Sequence, residues 1–419
     1  MLDLKLIRRE PDAVRSALVR RGPELGGAVD RLVALDEAWR EATQVAEGLR
    51  AEQKAASDEL AAGKREGRDV SPQLARLKEV SAEVKALGER ARQSEAQLLE
   101  LLGTLPNLPD PTAAEPQDEV LRVVGDATKT GRDHLALAGE RIDMERGARL
   151  SGSRFAYLRG DLVMLELALV QWTLSMLRGH GFEPVIPPVL VREQALYGTG
   201  FLPDTEQQIY HLPADDLYLA GTSEVALASL HAGEILDAAD LPLRYAGFSP
   251  CFRREAGSAG KDTRGIFRVH QFDKVEMFSF VAPQDSEEEH ERLLAIEEEI
   301  FTELEVPYRV VNIAVNDLGP SAAKKYDIEA WLPGQGRYRE VTSTSNTTDF
   351  QARRLEIRMR RENGRPEVLH TLNGTAVAVS RTLIALLENG QRDDGSVALP
   401  AVLAPFGAPA DLLAVSRPS

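Results

Sequence analysis

Two heptad-patterned segments near the start of the 419-residue chain constrain its fold more than any other feature. Apolar residues recur at alternating steps of three and four from Leu32 to Leu60, and again from Leu77 to Leu101. The segment between the two runs, AAGKREGRDVSP, contains glycines, charges and a proline, and predicts a turn. Because each helix can bury its stripe only against the other, the pattern predicts an antiparallel coiled-coil arm over about 30–101.

Charge differs between this arm and the rest of the chain. The whole chain has 50 Lys and Arg against 66 Asp and Glu, a formal charge of −16, which by itself argues against a nucleic-acid partner. Residues 1–100 hold 18 basic and 19 acidic residues, so the remainder carries −15. The arm is nearly neutral and has cations toward its tip: Arg50, Lys54, Lys64, Arg65 and Arg68. From the pattern alone, the arm fits an oligomerisation element or a spacer.

Several function classes are excluded by what the sequence lacks. The single cysteine, Cys251, rules out an intrachain disulfide framework or a cysteine zinc cluster, and neither HExxH nor GxGxxG occurs. The first residues, MLDLKLIRRE, do not form the apolar core of a signal peptide. The most apolar stretch, Leu162 to Leu177, contains Glu166 and Gln171 and is too short for a membrane span. We therefore expect a cytoplasmic protein without a membrane partner.

Proline and strand patterns divide the chain. Residues 103–118 contain four prolines and predict an extended linker between an N-terminal domain, 1–102, and a larger domain, 119–419. Within the larger domain, long helices are predicted at 162–177 and 286–305, the latter as a surface helix without chemistry. Short strand candidates lie at 182–191, 216–221, 243–249, 274–281, 308–314 and 337–344. Few helices separate them, so the pattern favours an α+β fold with an antiparallel sheet.

Arginine and glutamate concentrate in three separate segments of this domain. The first, Cys251 to Phe278, predicts a hairpin in which Arg253 and Glu255 share a face. The second, residues 337–354, places Glu340 and a row of hydroxyls on a strand. The third, residues 370–390, predicts a strand followed by an apolar helix that carries Arg381. Each segment taken alone also fits an ordinary surface ion-pair network or a half-exposed strand.

Together these segments resemble the signature motifs of class II aminoacyl-tRNA synthetases, most closely those of the bacterial-type seryl-tRNA synthetase family. The matching stretches are FEPVIPP, GTSEVALASLHAGEIL, FRREAGS with DTRGIFRVHQFDKVE, REVTSTSNTTDFQARR and LHTLNGTAVAVSRTL. The heptad arm stands where that family carries its tRNA-binding arm. The resemblance implies an antiparallel catalytic sheet with flanking helices, and a homodimer.

The implied reaction has two steps. L-Serine and ATP give seryl-adenylate and pyrophosphate, and the seryl group then passes to the 3′ end of tRNA(Ser). Whether tRNA(Sec) is also a substrate stays open. Mg²⁺ accompanies ATP, and Glu340 and Ser343 are its implied ligands, since this ion prefers hard oxygen donors.

The resemblance also assigns the site residues. The implied catalytic residues are Arg253, Glu340 and Arg381. The implied serine-binding residues are Thr222, Ser223, Glu224, Arg253, Glu276, Asn373 and Thr375. The implied ATP-binding residues are Arg253, Arg254, Glu255, Val269, Phe272, Glu340, Val341, Thr342, Ser343 and Arg381.

Three positions depart from the family's common pattern, and two other functions stay open. Arg254, Ala376 and Ser380 stand where smaller residues are typical of the family. One alternative is an amino acid-activating ligase that loads a carrier protein; the long arm argues against it, since such relatives lack one. The other is a catalytically silent RNA-binding paralogue. The charged residues that the mechanism requires are all retained, which argues against that reading.

Overall fold

The first unit of the structure, Met1–Pro106, is built from helices. The computed structural model describes residues 1–203, 208–256, 260 and 262–414, which include all of this unit. Its helices are α1 (Leu4–Arg9), α2 (Pro11–Val19), α3 (Leu25–Arg65) and α4 (Ser71–Thr104). At 1.5 Å per residue, the 41 residues of α3 span about 60 Å.

Helices α3 and α4 pack against each other along the predicted heptad stripes. The fully buried side chains of these stripes are Leu32, Ala42, Ala46, Val80 and Leu98. A polar contact joins the same faces, where Gln53 Nε2 donates to Ser81 Oγ at 2.7 Å. The antiparallel arm predicted from the heptads is confirmed.

The second unit, Asn107–Ser419, combines helices with strands. Its α-helices are α5 (His134–Ala138), α6 (Met144–Ser151), α7 (Asp161–Gly179), α8 (Glu193–Thr199), α9 (Glu224–Ala228), α10 (Ser286–Glu303), α11 (Phe350–Arg354) and α12 (Val379–Asn389). Short 3₁₀ turns occupy Gly139–Arg141, Ser229–His231, Ala238–Asp240, Pro283–Asp285, Val315–Asp317 and Ala401–Phe406.

The strands of this unit are mostly short. They are β1 (Glu119–Val124), β2 (Ile142–Asp143), β3 (Tyr157–Leu158), β4 (Glu183–Val185), β5 (Leu190–Val191), β6 (Tyr210–Leu212), β7 (Leu217–Leu219), β8 (Ile235–Asp237), β9 (Leu243–Phe252), β10 (Gln271–Val281), β11 (Tyr308–Asn312), β12 (Lys324–Leu332), β13 (Arg337–Asn346), β14 (Arg358–Arg360), β15 (Glu367–Val368), β16 (His370–Ala378), β17 (Val397–Ala398) and β18 (Asp411–Leu412).

One eight-stranded sheet forms the centre of this unit, in the order β1-β11-β12-β13-β16-β10-β9-β4. Every neighbouring pair is antiparallel except β4 and β9, which run parallel at one edge. The remaining strands form small sheets: β15-β14-β8, β5-β7-β6, β2-β3 and β17-β18. The predicted α+β class with an antiparallel core is confirmed.

Helix α7 is long and apolar enough to cross a membrane by length and composition. Leu162, Leu165 and Leu169 on this helix are nevertheless fully buried in the main hydrophobic core, which they share with side chains of β10, β12 and α12. These contacts are those of a core helix packed on the sheet.

Three sequence predictions need correction. The candidate strand 182–191 splits into β4 and β5, because its prolines cannot donate to a ladder. The candidate at 216–221 shortens to β7 and joins a small sheet, not the central one. The predicted surface helix, α10, packs its predicted apolar face on the sheet, but it also fully buries Glu297, which a purely apolar inner face did not predict.

Candidate active site

A cleft of about 580 Å³ opens in the second unit beside β10, β13 and β16. Fourteen predicted site residues line it: Thr222, Glu224, Arg253, Glu255, Val269, Phe272, Glu276, Glu340, Val341, Thr342, Ser343, Asn373, Thr375 and Arg381. The topology explains why residues more than 100 positions apart meet. Strand β16 lies between β10 and β13, so that Thr375 pairs with Glu276 on one side and Asn373 pairs with Ser345 on the other.

Arg253 is held at one side of the cleft by the hairpin from which it projects. It follows the last residue of β9, and its backbone N–H donates to the carbonyl of His270 at 2.9 Å. Its Nε donates to the carbonyl oxygen of Gly221 at 3.2 Å, and its guanidinium lies 5.3 Å from the centre of the Phe272 ring. The arginine is therefore directed across the cleft while the aromatic ring forms a wall beside it.

Arg381 enters the cleft from the first turn of α12. Its Nη1 donates to Oε1 of Glu340 at 3.2 Å and to the Glu340 carbonyl oxygen at 3.1 Å. Its guanidinium lies 4.8 Å from the centre of the Phe267 ring, and the guanidinium of Arg339 lies 3.8 Å from the centre of the same ring. Arg339 is neutralised by a bidentate ion pair with Asp262. These contacts fix two cations around one aromatic ring.

Glu340 is kept ionised by these surroundings. Burial alone raises a carboxyl pKa, but the positive charges of Arg381, Lys325 and Arg253 outweigh it and lower the pKa of Glu340 to about 2. Lys325 Nζ forms an ion pair with Asp327 at 2.8 Å, and Asp327 lies opposite Ser343 in the pairing of β12 with β13. Burial raises the pKa of Asp327 to about 7, although Lys325 opposes that shift.

The oxygens at this end of the cleft suit Mg²⁺. The Glu340 carboxylate and the Ser343 hydroxyl both line the cleft, and hard oxygen donors of this kind are those that Mg²⁺ prefers. No group of three or more His, Cys, Asp or Glu capable of holding a metal occurs in the described part of the chain. A site with two protein ligands fits an ion that keeps waters and substrate phosphates in its remaining positions.

A second group of polar side chains forms the other end of the cleft. Glu276 Oε2 accepts from Thr375 Oγ1 at 3.4 Å and forms an ion pair with Lys274. Glu224 Oε1 accepts from Gln351 Nε2 at 2.7 Å and from Asn373 Nδ2 at 3.0 Å. Burial, followed by the nearby negative charge of Glu276, raises the pKa of Glu224 to about 7.

Two predicted site residues do not line the cleft. Ser223 is buried behind it, with Oγ 3.5 Å from the carbonyl oxygen of Gly247 on β9. Arg254 donates its backbone N–H to the carbonyl oxygen of Gln208. Its side chain is not among those that line the cleft. The binding roles of Ser223 and Arg254 stay predictions.

The hairpin that follows Arg254 is only partly described. Glu255 has a backbone φ of 53° and forms an ion pair with Arg268 at 2.6 Å, which joins the two sides of the hairpin. The predicted hairpin over Cys251 to Phe278 includes 257–259 and Lys261, which lie outside the described residues.

Sequence reasoning missed several residues that line the cleft, above all Lys274 and Lys325. Lys325 and its partner Asp327 lie on β12, a strand that the sequence analysis did not predict. Its alternation of Tyr326, Ile328, Ala330 and Leu332 is a strand signal that could have been recognised. Lys274 lies on β10, and the sequence analysis assigned it no role.

This sheet and its cleft define a class II aminoacyl-tRNA synthetase. A family model described as "tRNA synthetase class II core domain (G, H, P, S and T)" matches residues 210–390. A second, described as "Seryl-tRNA synthetase N-terminal domain", matches residues 1–109.

Individual relatives show to which family within this class the chain belongs. The curated serine–tRNA ligases of Streptomyces coelicolor and Acidothermus cellulolyticus are 51% and 53% identical to the chain, over 97% and 96% of its length and 97% of each relative. The crystal structure of seryl-tRNA synthetase from Pyrococcus horikoshii complexed with ATP has a TM-score of 0.94 and 42% identity, and the match covers 99% of this chain and 100% of that one. The chain belongs to the seryl-tRNA synthetase family, and the predicted resemblance is confirmed.

Proposed function

We propose that the cleft is where this serine–tRNA ligase activates L-serine with ATP before the seryl group passes to tRNA(Ser). The observation that supports this most strongly is the arrangement of charge along one cleft. Arg381 and the ionised carboxylate of Glu340 lie at one end, the polar group around Glu276 lies at the other, and Arg253, whose charge acts on both Glu340 and Glu224, lies between them. The first end suits a triphosphate and the second a small zwitterionic amino acid.

The first step is an in-line displacement at phosphorus. A carboxylate oxygen of serine attacks the α-phosphate of ATP, the bond from that phosphorus to the bridging oxygen breaks, and pyrophosphate leaves. Arg253 binds the serine carboxylate and the α-phosphate, and stabilises the charge that develops there. Arg381 binds the γ-phosphate. No protein nucleophile is required, because positioning and charge stabilisation are sufficient for such a transfer.

The adenine ring stacks on Phe272, which already forms one wall of the cleft. Val269 and Glu255 lie beside it, while the backbone of Val341 and Thr342 supports the adjoining strand. Glu340 and Ser343 would hold Mg²⁺, which supplies positive charge to the phosphate oxygens. The low pKa of Glu340 keeps its carboxylate ready for a cation at neutral pH.

Serine is selected by hydrogen bonding at the other end of the cleft. Glu276 accepts a hydrogen bond from the serine hydroxyl, and Thr375 donates one to it. Glu224, Thr222 and Asn373 bind the ammonium group of serine. A site that hydrogen-bonds a substrate hydroxyl rejects an analogue without one, by about 10⁴-fold in favourable cases, because the buried polar groups are left without a partner. Alanine is therefore excluded by this end of the cleft.

The coiled-coil arm provides the tRNA-binding surface. We assign tRNA binding to the N-terminal domain, residues 1–102, a linker role to 103–118 and catalysis to 119–419. Near-neutral charge with cations toward the tip supports this assignment, since phosphate contacts need local positive charge rather than a basic whole protein.

The enzyme acts in the cytoplasm as a homodimer. Apolar side chains on the outer face of α7 and on the segment after it are exposed: Met164 by 48%, Leu167 by 55% and Ile186 by 83%. Exposed apolar side chains on neighbouring elements are typical of a protein interface. Sedimentation analysis tests this, since replacing Leu167 and Ile186 by Glu should yield monomers.

Two linked assays test the function. Serine-dependent exchange of pyrophosphate into ATP measures activation, and incorporation of labelled serine into purified tRNA(Ser) measures transfer. The wild-type chain should support both. Exchange without transfer would favour a ligase that loads a carrier protein, and absence of both would favour a silent RNA-binding protein.

A further inference from the structure

Lys274 is a buried ammonium group in the serine end of the cleft, and the roles proposed above do not use it. It lies in the middle of the central strand β10, where it pairs with Ser249 on β9 and with Ala378 on β16. Only 6% of its side chain is exposed, although its side chain lines the cleft. Burial of a charged ammonium is unfavourable unless partners satisfy it, so its contacts define its role.

Two contacts tie Lys274 to opposite walls of the serine end. Its Nζ donates to Thr222 Oγ1 at 2.7 Å, and it forms an ion pair with Oε2 of Glu276. Thr222 Oγ1 also accepts the backbone N–H of Glu224 at 3.2 Å, at the start of α9. The ammonium group therefore links the turn before α9 to the strand that carries Glu276.

The same contacts orient the Glu276 carboxylate. Lys274 and Thr375 both bind Oε2, so the ligand-binding capacity of Oε1 stays available to the cleft. The negative charge of Glu276 helps to raise the pKa of nearby Glu224, and the positive charge of Lys274 opposes that rise. Loss of the ammonium group would remove the ion pair at Oε2 of Glu276, so the carboxylate would no longer be held in one orientation.

We propose that Lys274 is a positioning residue that determines serine selectivity, by holding the Glu276 carboxylate in one orientation and directing Oε1 toward the substrate hydroxyl. The proposal rests on the proposed function, because it requires Glu276 to bind serine. It differs from a contact to the substrate: Lys274 acts through Glu276 and Thr222. Loss of Lys274 should weaken binding of the amino acid and leave binding of the nucleotide unchanged.

The test uses pyrophosphate exchange with serine and with alanine. Lys274→Met and Lys274→Gln both remove the charge, and the Gln variant keeps a hydrogen-bond donor. Each should raise KM for serine at least 20-fold with less than a threefold change in kcat, and lower the serine-to-alanine ratio of kcat/KM about tenfold. KM for ATP should stay near the wild-type value, whereas the thermal midpoint should fall, because the Glu276 carboxylate is left buried without its ionic partner. Lys274→Arg, which retains the charge, should recover most of the selectivity.

Lys325→Met provides the matched control, because Lys325 is also a buried lysine that lines the cleft and pairs with a carboxylate. Its serine-to-alanine ratio should remain within twofold of wild type. The proposal is overturned if Lys274→Met and Lys274→Gln keep that ratio, or if Lys325→Met lowers it equally. Wild-type chain without serine-dependent exchange would instead refute the proposed function.

Discussion

The two units of the molecule handle charge in opposite ways. In Met1–Pro106, ion pairs such as that of Arg76 with Glu52 lie on exposed faces, with side chains 54% and 46% exposed, and the buried exception is Asp36, which pairs with Arg8. In the cleft of the second unit, Lys274 and Glu276 are 6% and 2% exposed. Surface pairs contribute about 0–1 kcal/mol, whereas a buried charge that loses its partner costs about 3–5 kcal/mol.

This difference distinguishes the arm, which is a scaffold, from the cleft, which is the site of the reaction. The arm derives its structure from a stripe of Leu, Ala and Val, and its charges remain available to solvent and to a polyanion. The second unit buries charged pairs both in the cleft, as with Lys274 and Glu276, and outside it, as with Arg244 and Glu289. The cleft differs because several such groups face one cavity, and the predictions below test whether the arm and the cleft are separable.

The largest effect should follow loss of Arg253. Arg253→Ala removes the cation at the α-phosphate and should lower serine-dependent exchange by about 10³-fold, the upper range for one lost stabilising donor. Its thermal midpoint should change little, because among the described residues the side chain makes a single hydrogen bond, to the Gly221 carbonyl oxygen. Arg358→Ala, at an exposed arginine on β14, is the control and should retain full exchange. Normal exchange by Arg253→Ala would remove this residue from the mechanism.

Salt should distinguish the two regions next. Raising salt from 50 to 200 mM should increase KM for tRNA by about tenfold or more, since phosphate contacts release counterions. KM for serine, bound in the cleft, should change less than twofold. Replacing Lys64, Arg65 and Arg68 by Gln should weaken the dependence of KM for tRNA on salt and leave KM for serine unaffected. If KM for tRNA depends on salt equally in this variant and in the wild type, the tip makes no phosphate contact.

A change of about tenfold is expected from pH. The pKa of Glu224, about 7 in the folded protein, means that roughly one tenth of the groups are ionised at pH 6 and most at pH 8. Because the serine ammonium group needs an ionised partner, kcat/KM for serine should rise by about tenfold between these values. The Glu224→Gln variant should have a low kcat/KM for serine that does not change between pH 6 and pH 8. A flat wild-type profile would contradict this role for Glu224.

The smallest effect concerns Glu297 beneath the sheet. Its Oε2 accepts from Thr342 Oγ1 at 3.0 Å, and burial raises its pKa well above the ordinary value. A raised carboxyl pKa makes the folded state bind more protons, so stability should fall as pH rises from about 4.5, the unfolded value, toward the folded pKa. Glu297→Gln mimics the protonated form and should weaken this decline, with less than about 1 kcal/mol change at pH 5. Urea unfolding across pH measures it, and equal slopes in both proteins would contradict the assignment.

The sequence predicted the arm well because its signal is local. Heptads such as Leu32 to Leu60 encode helix, buried face and partner together. The cleft depends on register between distant strands, so one sequence without a family resemblance could not bring Glu276 and Thr375 together. The resemblance supplied the ligand-facing residues, and its matching stretch DTRGIFRVHQFDKVE contains Lys274, but it assigned Lys274 no role. Ser223 and Arg254 were placed by motif membership, and neither lines the cleft.

The central claim is that activation resides in the cleft and tRNA recognition in the arm. Replacing residues 47–87 by a short Gly-Ser linker preserves the buried base of the arm at Leu32 and Leu98 and removes its outer part. Serine-dependent exchange and tRNA(Ser) charging, measured on the same preparation, provide the most direct test. We predict exchange within about threefold of wild type and charging reduced by about 100-fold, as expected when many phosphate contacts are lost. Equal charging by the shortened and full-length chains would contradict the claim.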